Sequence, residues 1–117
     1  MRTNLAIVSN YPKPTDYVDD AQIAFDDCIE GIKRVLTRLE KTSSARSTLR
    51  TFDYIVRQFV VYGGEECPWV EPKTYDGAAI TALIKIMQFS KGHEATVTAI
   101  REIQETYRGT LNAAGVH

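Results

Sequence analysis

Val18, Ala21, Phe25, Cys28, Ile32, Val35 and Leu39 follow one another at alternating spacings of three and four. Only a helix brings positions three and four apart onto one face, so this run predicts a helix over about 16–41 with one side turned to a core. Thr15 or Asp16 is its expected N-cap, and Asp19 and Asp20 set carboxylates beside the positive end of the helix dipole. Gly31 falls inside it at a cost of ~1 kcal/mol against alanine, which predicts a close neighbour there. A second stripe, Leu49, Phe52, Ile55, Val56, Phe59 and Val60, predicts a helix over 44–62 that starts at Ser44 or Ser47. Gly63 and Gly64 end it, because glycine takes the left-handed C-cap conformation without a Cβ penalty.

From Gly63 to Lys73 the glycines and prolines exclude regular structure, making a long Pro/Gly loop. A third helix is expected over 75–90, with Thr74 to Asp76 as plausible caps. Ala79, Ile80, Ala82, Leu83, Ile84, Ile86, Met87 and Phe89 leave only Gly77, Thr81, Lys85 and Gln88 on a polar strip. Such a helix should be covered on most of its circumference and sit at the centre of the fold. Gly92 closes it, and a fourth helix follows over 93–108, with Val97, Ile100, Ile103 and Tyr107 on its apolar face.

Pro12 and Pro14 keep residues 1–15 out of helix and make them an arm, and residues 109–117 read as a loosely held tail. No stretch alternates apolar and polar residues long enough for a strand. The expectation is an all-α fold in one domain, 1–117: a compact four-helix arrangement with an extended N-terminal arm. Short links between the first and second, and the third and fourth, helices predict antiparallel hairpins.

Composition narrows the class without naming a function. Hydrophobic residues make 44% of the 117 and charged residues 25%, with a net charge of −1, which fits a globular chain and gives nucleic acid no bulk attraction. No apolar run approaches the roughly 18 residues that span a bilayer, and Leu5 to Val8 is too short for a signal-peptide core. A cytoplasmic protein is expected, without membrane contact. Cys28 and Cys67 lack CxxC spacing and read as reduced thiols.

Reactive groups are few. His93, His117, Cys28 and Cys67 have no spacing that preorganises a metal, so no enzyme activity, metal or cofactor is expected. The segment from Ile80 to Ile103 loosely has the order of a helix-turn-helix, which makes a small DNA-binding regulator the alternative reading. Its last helix, however, sets Glu94, Glu102 and Glu105 against Arg101 and Arg108, whereas a DNA-reading helix presents a net positive face. Direct nucleic-acid binding is therefore not expected.

Protein binding remains. Tyr54 and Val61 lie opposite the core stripe of the second helix, flanked by Arg50 and Arg57, and aromatics with arginine are the residue types that anchor interfaces. Trp69 in the loop, with Tyr11, Leu5 and Ile7 of the arm, adds apolar surface that four helices hardly need. These eight residues are the expected partner-binding set. The first helix is acidic early, from Asp16 to Glu30, and basic later, at Lys33, Arg34, Arg38 and Lys41. That polarity matches an antiparallel copy of itself and predicts a homodimer.

From Tyr11-Pro12-Lys13-Pro14-Thr15-Asp16-Tyr17 onward, the chain resembles the small bacterial quorum-sensing antiactivators in size, helical layout and lack of catalytic motifs. The resemblance is one of overall plan, and no short motif carries contact residues across. It implies a homodimer that binds the ligand-binding domain of the LuxR-type transcription factor LasR and keeps that activator from working on DNA.

Overall fold

The computed structural model describes residues 14–63 and 72–115. Residues 1–13 of the expected arm, Gly64 and most of the long loop lie outside the described residues; Pro14 and Thr15, expected in the arm, belong instead to the first helix. Among the described residues, four helices run in order: α1 (Pro14–Glu40), α2 (Ala45–Tyr62), α3 (Tyr75–Lys91) and α4 (His93–Ala113). No strand occurs among the described residues.

α1 begins at Pro14, so Thr15 and Asp16 lie within the helix rather than capping it. A proline suits the first helical position because its fixed φ is already helical and its missing N–H has no partner there. α2 and α3 open on side-chain caps: Ser44 Oγ accepts the Ser47 N–H at 3.0 Å, and Thr74 Oγ1 accepts that of Gly77 at 3.1 Å. Gly92 closes α3 as expected and takes a positive φ, +92°, which favours glycine. Gly63, expected left-handed, has a φ of −67° instead and ends α2 in right-handed geometry with its N–H on Phe59 O at 2.7 Å. Glycine is needed there for space, because a Cβ would run into the Phe59 ring.

The helices pair differently from the hairpins that short links suggest. α1 lies most extensively against α3, and α2 next most against α4. Both pairs are antiparallel. Lys91 at the end of α3 donates to Gln22 and covers the Phe25 ring at 5.4 Å, while Arg38 late in α1 reaches Asp76 at the start of α3. Midway, a Cβ on Gly31 would stand 3.1 Å from the Leu83 side chain, the close approach its glycine predicts. In the other pair, Phe59 late in α2 meets His93 at the start of α4, and Asp53 meets Gln104 and Arg108.

One hydrophobic cluster joins all four helices through Phe25, Ile32, Phe52, Phe59, Ile84 and Ile100, among others. Thr48, Thr81 and Thr96 are buried beside it, and each hydroxyl donates to the carbonyl four residues back. That local bond keeps them from costing the core an unpaired polar group.

The end of α4 and the cover of α3 also differ from the sequence reading. α4 continues past Arg108 to Ala113, and Leu111 is buried, so residues 109–113 are helix and not tail. The exposed Gly109 lowers helix propensity, but burial of Leu111 outweighs it. α3 is not covered on most of its circumference either: Tyr75, Ile86 and Phe89 stand in solvent, Phe89 at 93% of its full exposure. Among the described residues, α1 and α4 lie against α3 most and α2 less, and the side that carries Tyr75, Ile86 and Phe89 is left open.

Candidate functional site

Arg50, Tyr54, Arg57 and Val61 are spaced four, three and four apart, which puts them on one side of α2. Arg50, Tyr54 and Arg57 border an open groove whose far wall is Pro72 and Thr74 at the entry to α3. Arg57 also borders the next hollow, shared with Val61, Arg101 and Gln104, so the strip is continuous. Both arginines are exposed, and Val61 is 62% exposed. Tyr54 departs from expectation: it is half-buried and packs against the core cluster, because the chain at Pro72 and Thr74 passes beside it. Its ring forms part of the groove instead of standing clear of it. Leu5, Ile7, Tyr11 and Trp69 lie outside the described residues.

A second face, on α3, is not distinguished by the sequence pattern. Tyr75, Ala78, Ala82, Ile86 and Phe89, spaced three, four, four and three, all lie exposed along α3. Arg38 of α1 borders this stripe, its guanidinium carbon 5.5 Å from the centre of the Tyr75 ring while it pairs with Asp76 at 2.6 Å. The signal was present in the apolar content of α3, which exceeds what one core face uses. By itself that content predicts burial.

Reactive side chains are dispersed. Cys28 is buried in the core, and burial, with Asp27 beside it, pushes its thiol above the ordinary range, so it stays protonated and weakly nucleophilic. His93 tilts against Phe59 with ring centroids 4.8 Å apart, and its Nδ1 is buried without a hydrogen-bond partner. The Tyr107 hydroxyl is likewise buried; it faces Glu40 and Thr48 but forms a well-shaped hydrogen bond with neither. Burial first, and then Glu40, hold that phenol well above its usual range.

A hollow of about 140 Å³ between α1 and α4 has Leu36, Ile103 and the Tyr107 ring among its walls, with Lys33 at its edge. No acid is paired with a base there. Among the described residues, no group of three or more His, Cys, Asp or Glu side chains comes together as a metal site, and no helix is long and apolar enough to cross a membrane. Cys67 and His117 lie outside those residues. What the arrangement offers is surface: an arginine–tyrosine groove on α2 and an apolar stripe on α3. No family model matches the chain, and neither a curated protein nor a solved structure shows significant similarity to it.

Proposed function

We propose that the chain is a non-enzymatic protein-binding regulator, an antiactivator that occludes a LuxR-type transcription factor and keeps it from DNA. The observation that carries the reading is the α2 strip, where Arg50 and Arg57 flank Tyr54 in an open groove that continues to the exposed Val61. A half-buried tyrosine has its ring fixed before a partner arrives, so little side-chain entropy is lost when the groove is filled. Arginines on either side supply planar donors for a partner's carboxylates or carbonyls. The class of partner comes from the resemblance to QslA, whose target is LasR. Such a regulator works in the cytoplasm, where LuxR-type factors meet DNA.

Immobilised chain should retain the purified ligand-binding domain of a LuxR-type activator, and adding it to the full activator should abolish the shift of that activator's promoter DNA. Arg57→Ala, at an exposed position that leaves the fold intact, should weaken retention about 30-fold if it is an interface anchor. Failure of the wild-type chain to retain the domain overturns the partner class. Retention that Arg50→Ala and Arg57→Ala leave untouched overturns the choice of the α2 face.

A further inference from the structure

α1 and α4 belong to different helix pairs and touch each other little, and between them the packing leaves the hollow of about 140 Å³. Three of its wall residues, Thr37 of α1 and Thr106 and Thr110 of α4, are too short to meet across the space. The hydroxyls of Thr37 and Thr110 donate to carbonyls four residues back in their own helices, at 3.1 and 3.0 Å, so neither offers a proton to the hollow. Leu36, Ile103 and the Tyr107 ring complete an apolar wall. Water gains little in such a space, because it needs two to four polar partners. A hydrocarbon ring gains more, and the size suits one: an engineered apolar cavity of about 150 Å³ in another protein takes up benzene.

Charge at the rim decides what that ring carries. Lys33 lies at the edge of the hollow with 52% of its side chain in solvent. Lys33 and Thr37 also border a second, more open hollow, together with Arg34, Arg38, Lys41 and Glu30. Four cations and one carboxylate line it, which makes this side of the rim positive. Arg38 is engaged by Asp76 at 2.6 Å, whereas Lys33 pairs with Glu30 at 3.3 Å on its own helix. An exposed pair three residues apart holds weakly, so the Lys33 ammonium is available to an anion seated at the rim. Among the described residues, no carboxylate lines the apolar hollow to repel one.

We infer that the hollow between α1 and α4 is a binding site for a small aromatic carboxylate, its ring held among Leu36, Ile103 and Tyr107 and its carboxylate paired with Lys33. The site shares no residue with the α2 groove, so it stands apart from what that groove binds. A ligand seated there touches one helix of each antiparallel pair.

Titration of the isotope-labelled full chain with benzoate at constant ionic strength, followed by amide chemical shifts, tests it. Benzoate should saturate with a Kd of about 1 mM or tighter and shift the amides of Leu36, Thr37, Ile103 and Tyr107. Benzamide, the same ring without the charge, should bind about 10-fold more weakly, and acetate, the charge without the ring, should not saturate. Lys33→Met keeps an apolar stem and removes the ammonium, so it should weaken benzoate about 10-fold and leave benzamide unchanged. Thr106→Trp fills the space from an exposed position and should abolish binding of both while circular dichroism stays that of the folded chain. Thr110→Phe, also at an exposed position, fills the same space if Thr106→Trp does not fold. Absence of saturation by benzoate at about 10 mM overturns the inference. So does equal binding of benzoate and benzamide, the mark of a site indifferent to charge, or binding that the filling variant leaves intact, which places the ligand elsewhere.

Discussion

At single residues, the departures from a saturated core are the informative ones. Three buried threonines satisfy their hydroxyls within their own helices, whereas the Tyr107 hydroxyl is buried without a partner. A buried hydroxyl that lacks a hydrogen bond has given up water for nothing, so deleting it relieves the fold. Tyr107→Phe should raise unfolding stability by ~1 kcal/mol, measured by urea titration at neutral pH. The pH dependence should change with it. The folded chain holds the phenol proton more tightly than the unfolded chain does, so the contribution is fully present below the ordinary phenol value of 10.0. Above that value the unfolded chain loses its proton first, and stability falls as pH climbs toward the raised folded value. Tyr107→Phe should flatten that part of the alkaline fall. A loss of stability at neutral pH would show instead that the hydroxyl is bonded to Glu40 or Thr48 in solution.

Elements were legible in the sequence to different degrees, and the reason is the range of the interactions that set them. The periodic stripes through Phe25, Cys28 and Ile32, and through Phe52, Ile55 and Phe59, are local, and the structure buries those residues. Caps at Ser44 and Thr74 and the turn at Gly92 are also local and were readable. Which helix packs on which is not local. α1 prefers α3 over its chain neighbour because Gly31 admits Leu83 and Arg38 reaches Asp76, contacts between residues about fifty and about forty positions apart in the chain. The same blindness hid the open side of α3, since apolar content cannot distinguish a side chain covered by its own fold from one awaiting another surface. The spacing of the α2 strip puts its residues on one face, but the depth of Tyr54, expected exposed and found half-buried, depends on where Pro72 returns. The end of α4 departs from the sequence expectation for a related reason: Gly109 weakens the local signal, and only tertiary burial of Leu111 shows why the helix goes on. Truncating the chain after Arg108 should therefore cost ~2 kcal/mol, the worth of one buried leucine, with the loss seen as a lowered urea midpoint. An unchanged midpoint would mean that the last turn of α4 adds no stability.

For the molecule as a whole, the open question is whether two antiparallel pairs make one cooperative unit or two stacked ones. The α1/α3 and α2/α4 pairs carry the most extensive contacts, which taken alone would let each pair open separately. The core argues otherwise. Phe25 and Ile32 of α1, Phe52 and Phe59 of α2, Ile80 and Ile84 of α3 and Ile100 and Ile103 of α4 belong to a single buried cluster, and every helix also touches the pair it does not belong to. Separating the pairs would therefore expose the centre of the cluster to water, at about 25 cal/mol for each Å² of apolar surface, with no compensating contact. Phe52 is fully buried in α2, and Phe52→Ala should cost ~3–5 kcal/mol, a large part of the stability of a domain this size. If the cluster couples the pairs, that cost is shared: in native-state hydrogen exchange the most protected amides of α1 and α3 should lose protection by the same factor as those of α2 and α4. Loss confined to α2 and α4 would show that each pair keeps its own stability, and that the shared core joins them without making them unfold together.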